Sequence, residues 1–362
     1  MYADVVETVS VTLAPSGRPL AAFANGTIAF TSKVSGVPDI LLTLAGPSGS
    51  SKHNLGSLVE LPVFHPCVRL SRWKEHPGEL SFVPPDGRFI LAGYEVDLLP
   101  FSNGKSGSLA SNNLKLPVSL DVKTGLGPTG SDFEVRLSIN RIFGGIGAGS
   151  APGRGGGSSG AGRGFGGPHP GTPASPSLED VVVKIPLPAD VRNLSEVRPS
   201  KGDANYNPGD RSLSWHIPSK EIAAGTSHFG LRCTAVGPLA AGSGEEDAAT
   251  SDPMGFAFSS AEAYSYDEPY QAGSKQQPKA QPPAGAGADE EKDKRVIAQN
   301  KTMLMPTSAS VSFAVKGWLA SGIRVESITL DSRKSRGLGE AVKPYKGVKY
   351  LTVSKGGVEI RC

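Results

Sequence analysis

The chain of 362 residues carries 37 Lys and Arg against 34 Asp and Glu, a formal charge of +3, which excludes a protein built throughout as a partner for polyanions. Its 46 glycines and 30 prolines cluster in tracts, so part of the sequence is low in complexity and the rest is an ordinary fold with length for a sizeable core. Cys67, Cys233 and Cys362 lie far apart with no paired spacing, and no window approaches about 18 consecutive apolar residues; free thiols in a reducing, cytosolic setting are expected, and no spanning helix.

Strand signals begin at once. "DVVETVSVTLAPSGRPLAAFANGTIAFTSKV" predicts antiparallel strands parted by tight turns at "PSGR" and "NGT". "DILLTLAG", "HPCVRLSRW", "GELSFVPPDGRFILAGYEV", "LKLPVSLDVKTG" and "SDFEVRLSINRIF" follow, each a short strand pattern bounded by turns. In the third, two prolines and Asp-Gly predict a rigid hairpin turn, with Phe82, Phe89, Leu91 and Tyr94 available for packing. Residues 144–177 lack core-forming side chains and are expected to be a disordered insertion. "EDVVVKIPLP", "RSLSWHIP" and "HFGLRCTAV" resume the strands before a second such insertion at residues 239–299, rich in Ala, Gly, Pro and acidic residues. The last segment returns to alternation and ends, from Lys343 to Cys362, as a strand, a Gly-Gly turn and a second short strand. With hardly any helical periodicity, the pattern is that of an all-β sandwich.

Few residues carry the marks of bond-making chemistry. "GIGAG" has neither the strand-to-helix context nor the Gly-Lys-Ser/Thr ending of a phosphate cradle, and Arg154 and Arg163 are too few to neutralise many phosphates, so nucleic acid is not an expected partner. His65 and Cys67 find no matching ligand spacing among the other histidines, and no nucleophile elbow frames a triad; no metal, no cofactor and no enzymatic activity are expected.

Four segments in order are more specific: "SGVPD" (Ser35 to Asp39), "FHPCVRLSRW" (Phe64 to Trp73), "LSFVPPDGRFIL" (Leu80 to Leu91) and "PYKGVKYLT" (Pro344 to Thr352). Together they resemble the mu homology domain of clathrin-adaptor medium subunits, and the last is most similar to the mu subunit of adaptor protein complex 3. The resemblance implies an elongated immunoglobulin-like β-sandwich of two subdomains, A over residues 1–96 plus 317–362 and B over residues 97–316, and the longin-like domain that normally precedes it is expected to be absent. It implies the cargo-binding subunit of a heterotetrameric adaptor, in the cytoplasm and peripheral on Golgi or endosomal vesicles bound for the lysosome or vacuole.

In such domains an extended signal, tyrosine followed by two residues and a bulky apolar one (YxxΦ), pairs with the last strands by strand addition. The run Lys346 to Thr352 is therefore expected to stay uncovered, its partner supplied by cargo. By the same resemblance the tyrosine pocket takes Tyr2 as a wall, Asp4 as acceptor of the phenol hydroxyl and Lys349 across the ring. Thr31 stands where better-known endocytic relatives carry lysine and Gly347 where they carry tryptophan, which implies a less enclosed pocket. The apolar pocket takes Ala3, Val325, Ile328 and Val348, with Met1 beside them. A basic cluster of Arg333, Lys334, Arg336, Lys343 and Lys346 offers a contact for anionic lipid, with plain solvated charge as the competing reading. The rival function is a mu-like interaction scaffold that has lost tyrosine-motif capture and binds other trafficking proteins.

Overall fold

Alternation of apolar and polar residues governs most of the chain, and a computed structural model shows what it builds over residues 1–47, 55–99, 114–143, 169–238, 304–339, 342 and 347–362. Apart from Pro238 these belong to one unit, Met1–Gly237 with Met303–Cys362. In chain order its strands are β1 (Tyr2–Leu13), β2 (Pro19–Ser32), β3 (Ile40–Ala45), β4 (Glu60–Phe64), β5 (Glu79–Phe82), β6 (Gly87–Asp97), β7 (Val118–Leu126), β8 (Asp132–Ile139), β9 (Ser177–Pro186), β10 (Asn193–Pro199), β11 (Asp203–Asn207), β12 (Ser212–Ile217), β13 (His228–Val236), β14 (Ser308–Lys316), β15 (Arg324–Leu330) and β16 (Gly347–Arg361). Three helices, α1 (Leu55–Leu58), α2 (Leu70–Glu75) and α3 (Ser219–Ala223), are little more than turns.

The strands form three sheets: nine in the order β11-β12-β9-β14-β16-β1-β2-β6-β4, four in the order β10-β13-β8-β7, and three in the order β15-β3-β5. Two apolar clusters fill the spaces between layers. One gathers Val9, Val11, Phe133, Val183, Trp215 and Leu231 with their neighbours, and the other gathers Ala3, Val5, Phe30, Leu42, Phe82 and Val325 with theirs. The all-β sandwich read from the sequence is the architecture found. The second insertion, 239–299, lies outside the described residues, as does 144–168 of the first.

Several local expectations are corrected. Residues 169–177 are not structureless: Gly171 N donates to Ser175 O at 2.8 Å, Ser175 N to Thr172 O at 2.9 Å, and Thr172 Oγ1 to His169 O at 2.7 Å. The Gly and Pro content there serves turns, with Gly171 at φ +81°. "NGT" does not break β2, which runs through it. Gly26 is needed within the strand because the Tyr94 ring lies over it, and a Cβ at that position would meet Tyr94 Cζ at 2.0 Å. "VPPDG" is not a hairpin turn, since β5 pairs with β3 and β6 with β2 and β4. The segment instead carries the chain between two sheets, and prolines suit a crossover that must not continue a ladder. "LSRW" belongs to α2 rather than to a strand.

The end of the chain also differs. β16 is one strand, and Gly356-Gly357 forms a bulge rather than a turn: Gly356 takes φ +68° and the register shifts on both sides, against β1 after Thr8 and against β14 after Val311. Nor is β16 an edge along its whole predicted length. It pairs parallel with β1, Tyr2 opposite Gly347 through Thr8 opposite Val353, and antiparallel with β14 from Lys316 opposite Leu351 onward. Gly317 N donates to Tyr350 O at 2.8 Å, and Thr352 is fully buried. On the β14 side only Gly347 to Lys349 remain without a neighbouring strand; Lys346 lies outside the described residues.

Candidate functional site

Period-two alternation sorts the candidate residues onto two faces of the large sheet. Along one face the register places Gly347, Tyr2, Thr31 and Arg88 in a row and Lys349, Asp4, Ala29 and Ile90 in the next. Three strands, β16, β1 and β2, thus bring together all five residues expected in the tyrosine pocket, Tyr2, Asp4, Thr31, Gly347 and Lys349, and β6 adds Arg88 beside them. Tyr2 is 41% exposed, whereas Thr31 is buried at 4%.

Asp4 is the chemically distinctive member. Its side chain is only 16% exposed, and Oδ2 lies 3.3 Å from Arg88 Nη2. Its Oδ1 is buried and has no hydrogen-bond partner among the described residues, a condition rare for buried polar atoms of folded proteins. Asp4 opens onto a groove of about 590 Å3 whose floor includes Val6, Leu351 and Lys349, with Arg88 at one boundary and the turn Pro170 to Pro173 at another. Its lining brings Asp4 together with three cations, Arg88, Lys316 and Lys349, of which Lys316 is paired with Glu179 at 2.7 Å, and with apolar Val6 and Leu351. A second cavity, about 300 Å3 beside Leu13, Leu116 and Ile139, holds no titratable side chain.

Of the residues expected in the apolar pocket, Ala3 and Val348 lie on the opposite face of the large sheet, and Val325 and Ile328 come from β15 of the three-stranded sheet. Ala3, Val325 and Ile328 are buried members of one core cluster, and Val348 and Met1 pack against it half-buried. Tyr350 closes the same region, its hydroxyl accepting from Val325 N at 3.0 Å, and burial pushes its phenol pKa up. Val348 and Met1 are the members of the expected set that remain accessible.

Three of the four recognisable segments prove to be fastened to one another. Arg69 of "FHPCVRLSRW" donates to Asp39 of "SGVPD" through Nη1 at 2.9 Å and Nη2 at 2.5 Å, and to Ser81 of "LSFVPPDGRFIL" at 2.7 Å. The bond to Asp39 raises the Arg69 pKa further, and Asp39 N donates to Ser335 Oγ at 2.9 Å. Asp39, Arg69 and Ser81 therefore hold the scaffold rather than the groove. His65 and Cys67 share a local bond, Cys67 N to His65 Nδ1 at 3.2 Å, and His65 stacks on Phe89 at 4.9 Å. Of the basic cluster, Lys334 lies 3.3 Å from Asp331 and Arg336 is tied to Val37 by backbone bonds, while Lys343 and Lys346 lie outside the described residues.

Sequence reading missed two features. Arg88 gave no signal, because nothing local shows that β6 lies two strands from β1. Glu7 is fully buried and accepts from Tyr94 Oη at 2.8 Å, from Ser321 N at 3.1 Å and from Ser321 Oγ. A carboxylate breaking the apolar alternation of β1 was its only trace.

Comparison with known proteins agrees with this architecture. The chain is 28% identical over 218 residues to the AP-3 complex subunit mu-2 of Rattus norvegicus, covering 60% of this chain and 39% of that protein. It is 27% identical over 216 residues to the AP-3 complex subunit mu-1 of Homo sapiens, again 60% and 39%; the chain thus spans about two fifths of the length of these relatives. A homology model of the full-length AP-3 complex in an intermediate open conformation contains a chain that superposes with TM-score 0.52 at 18% identity, over 100% of this chain and 68% of that one, a likeness of fold. Among the described residues no helix is long and apolar enough to cross a membrane. The sequence model of the Adaptor complexes medium subunit family matches residues 1–362, and the chain belongs to that family.

Proposed function

We propose that the chain is the cargo-binding part of an adaptor complex, capturing YxxΦ signals in the cytosolic tails of membrane cargo during transport from Golgi or endosomes towards the lysosome or vacuole. The observation that carries this reading is the buried, partnerless Oδ1 of Asp4 in the groove. A tyrosine hydroxyl is a neutral donor on a long apolar stem, and it satisfies that oxygen while its ring covers Val6 and lies beside Lys349. The free edge at Gly347 to Lys349 supports strand addition. A peptide crossing it presents alternate side chains to the two faces, tyrosine to Asp4 and the bulky residue to the accessible Val348 and Met1.

No bond is made or broken in this role. The two apolar clusters support a division into subdomains, and the other adaptor subunits and a membrane surface supply the remaining partners. A charged hydrogen bond of about 1.5 to 3 kcal/mol and an apolar contact of roughly 1.5 to 3 kcal/mol act beside the backbone bonds of strand addition, and association costs offset part of the total, as suits a transient receptor. Titration calorimetry with a YxxΦ peptide and its tyrosine-to-alanine version tests the reading: saturable binding of the first and none of the second supports it, and equal binding of both defeats it.

One observation favours the scaffold alternative, in which tyrosine-motif capture is lost: Ala3, Val325 and Ile328 are already part of a filled core. That reading predicts no binding by any tyrosine-containing peptide in the same titration.

A further inference from the structure

Arg88 reaches Asp4 across an intervening strand. Thr31 on β2 has Tyr2 as its register partner on one side and Arg88 on the other, with Asp4 one row further along β1. Neighbouring strands are about 4.8 Å apart, so the arginine backbone stands roughly two such spacings from β1. Only a long side chain covers that distance, and only a short residue on β2 leaves its path open. Thr31 is short and 4% exposed, and the guanidinium arrives with Nη2 at 3.3 Å from Asp4 Oδ2.

The Arg88 side chain is 61% exposed and that of Asp4 16%, so water screens the cation and the pair contributes modestly to folding. Its consequence is geometric. One oxygen of Asp4 is engaged by the cation and the other is left buried and unpartnered, on a residue that lines the groove.

Building on the reading of the groove as a tyrosine-signal site, we infer that Arg88 is a positioning residue that sets the specificity of the tyrosine pocket. It holds Asp4 by Oδ2 so that Oδ1 accepts the phenol hydroxyl, and it brings from β6 the positive charge that β2 lacks at Thr31. The source of the cation is then interchangeable: a lysine at position 31, adjacent to Tyr2 and one row from Asp4, serves Oδ2 from the nearer strand.

The test uses two peptides that differ only in tyrosine or phenylalanine, titrated against the parent chain, Arg88→Gln, and Arg88→Gln with Thr31→Lys. The parent prefers tyrosine by about tenfold or more, the ratio expected of a charge-assisted hydrogen bond. Arg88→Gln lowers that preference below roughly threefold by weakening the tyrosine peptide alone, with the phenylalanine peptide within about twofold, and the added lysine restores it. Thermal unfolding of the parent and Arg88→Gln stays within about 2 °C, and a cooperative transition in the double variant shows that it is folded. A full tyrosine preference in Arg88→Gln, or equal weakening of both peptides, overturns the inference while leaving the functional reading standing. A parent chain that binds neither peptide removes the functional reading itself.

Discussion

Gly26 and Tyr94 face each other across β2 and β6, and the phenol ring fills the space that any side chain at position 26 would take. Gly26→Ala is therefore expected to destabilise the fold by about 1 to 3 kcal/mol, the usual cost of overpacking. The two sites should couple strongly: on a Tyr94→Ala background, itself destabilised by roughly 3 to 5 kcal/mol, the same alanine should be nearly neutral. Urea unfolding of the four chains measures the coupling, and additive losses would contradict the contact.

Beneath that ring the hydroxyl of Tyr94 donates to buried Glu7, and burial, then the charge of Glu7, pushes the phenol pKa far up. The unfolded tyrosine ionises near pH 10. The contribution is fully present below that pH and is lost above it, as the unfolded state sheds the proton that the native state keeps. Between pH 8 and 10.5 the parent should lose roughly 0.5 to 1 kcal/mol more stability than Tyr94→Phe. Identical pH profiles would show that the phenol is not held protonated.

Asp39 and Arg69 give a third expectation. Removing the guanidinium leaves a carboxylate that is 7% exposed without its bidentate partner. Arg69→Ala should cost roughly 1.5 to 3 kcal/mol of stability, yet leave YxxΦ affinity within about twofold once the chain is folded. A large loss of affinity without loss of stability would place Arg69 in recognition after all.

Phosphorylation of the signal should abolish capture. A phosphotyrosine brings about −1.5 to −2 charges and no hydroxyl donor to the partnerless oxygen of Asp4; of the cations of the groove, Arg88 is paired with Asp4 and Lys316 with Glu179, which leaves Lys349 to face it. Asp4→Ala should weaken the unmodified peptide by roughly 1.5 to 3 kcal/mol and narrow the gap between the two forms. Fluorescence titration of both peptides decides, and equal affinities in the parent would remove Asp4 from the site.

Burial also protects Cys233, whose thiol is pushed up to about 12. At pH 8 iodoacetamide should leave it unlabelled in the folded chain and modify it in urea. Rapid labelling without denaturant would show that the core around Phe133 and Leu231 opens readily.

The class of fold was legible because period-two alternation reports a half-buried surface directly, strand by strand. Partnership between strands was not: the proline-rich link after Phe82 looks like a local hairpin, and only tertiary packing sends β5 and β6 into different sheets. Glycine misled in both directions. Gly26 and Gly356 read as turns, but one yields space to an aromatic ring and the other absorbs a bulge. For the site, resemblance named Asp4 and Lys349, and register alone could add Arg88, because its role depends on which strand lies two places away.

The parallel pairing of β1 with β16 sets the order of events during synthesis. Asp4 and Lys349 are register partners 345 positions apart in the chain, 349 less 4, so the interior of the largest sheet cannot close until β16 has left the ribosome. Contacts this distant in sequence are slow to form, and until they do β1 and β14 are open, apolar edges of the kind that chaperones shield. The groove is assembled by the same step that completes the sheet. A chain in which the groove exists is for that reason one whose largest sheet is complete.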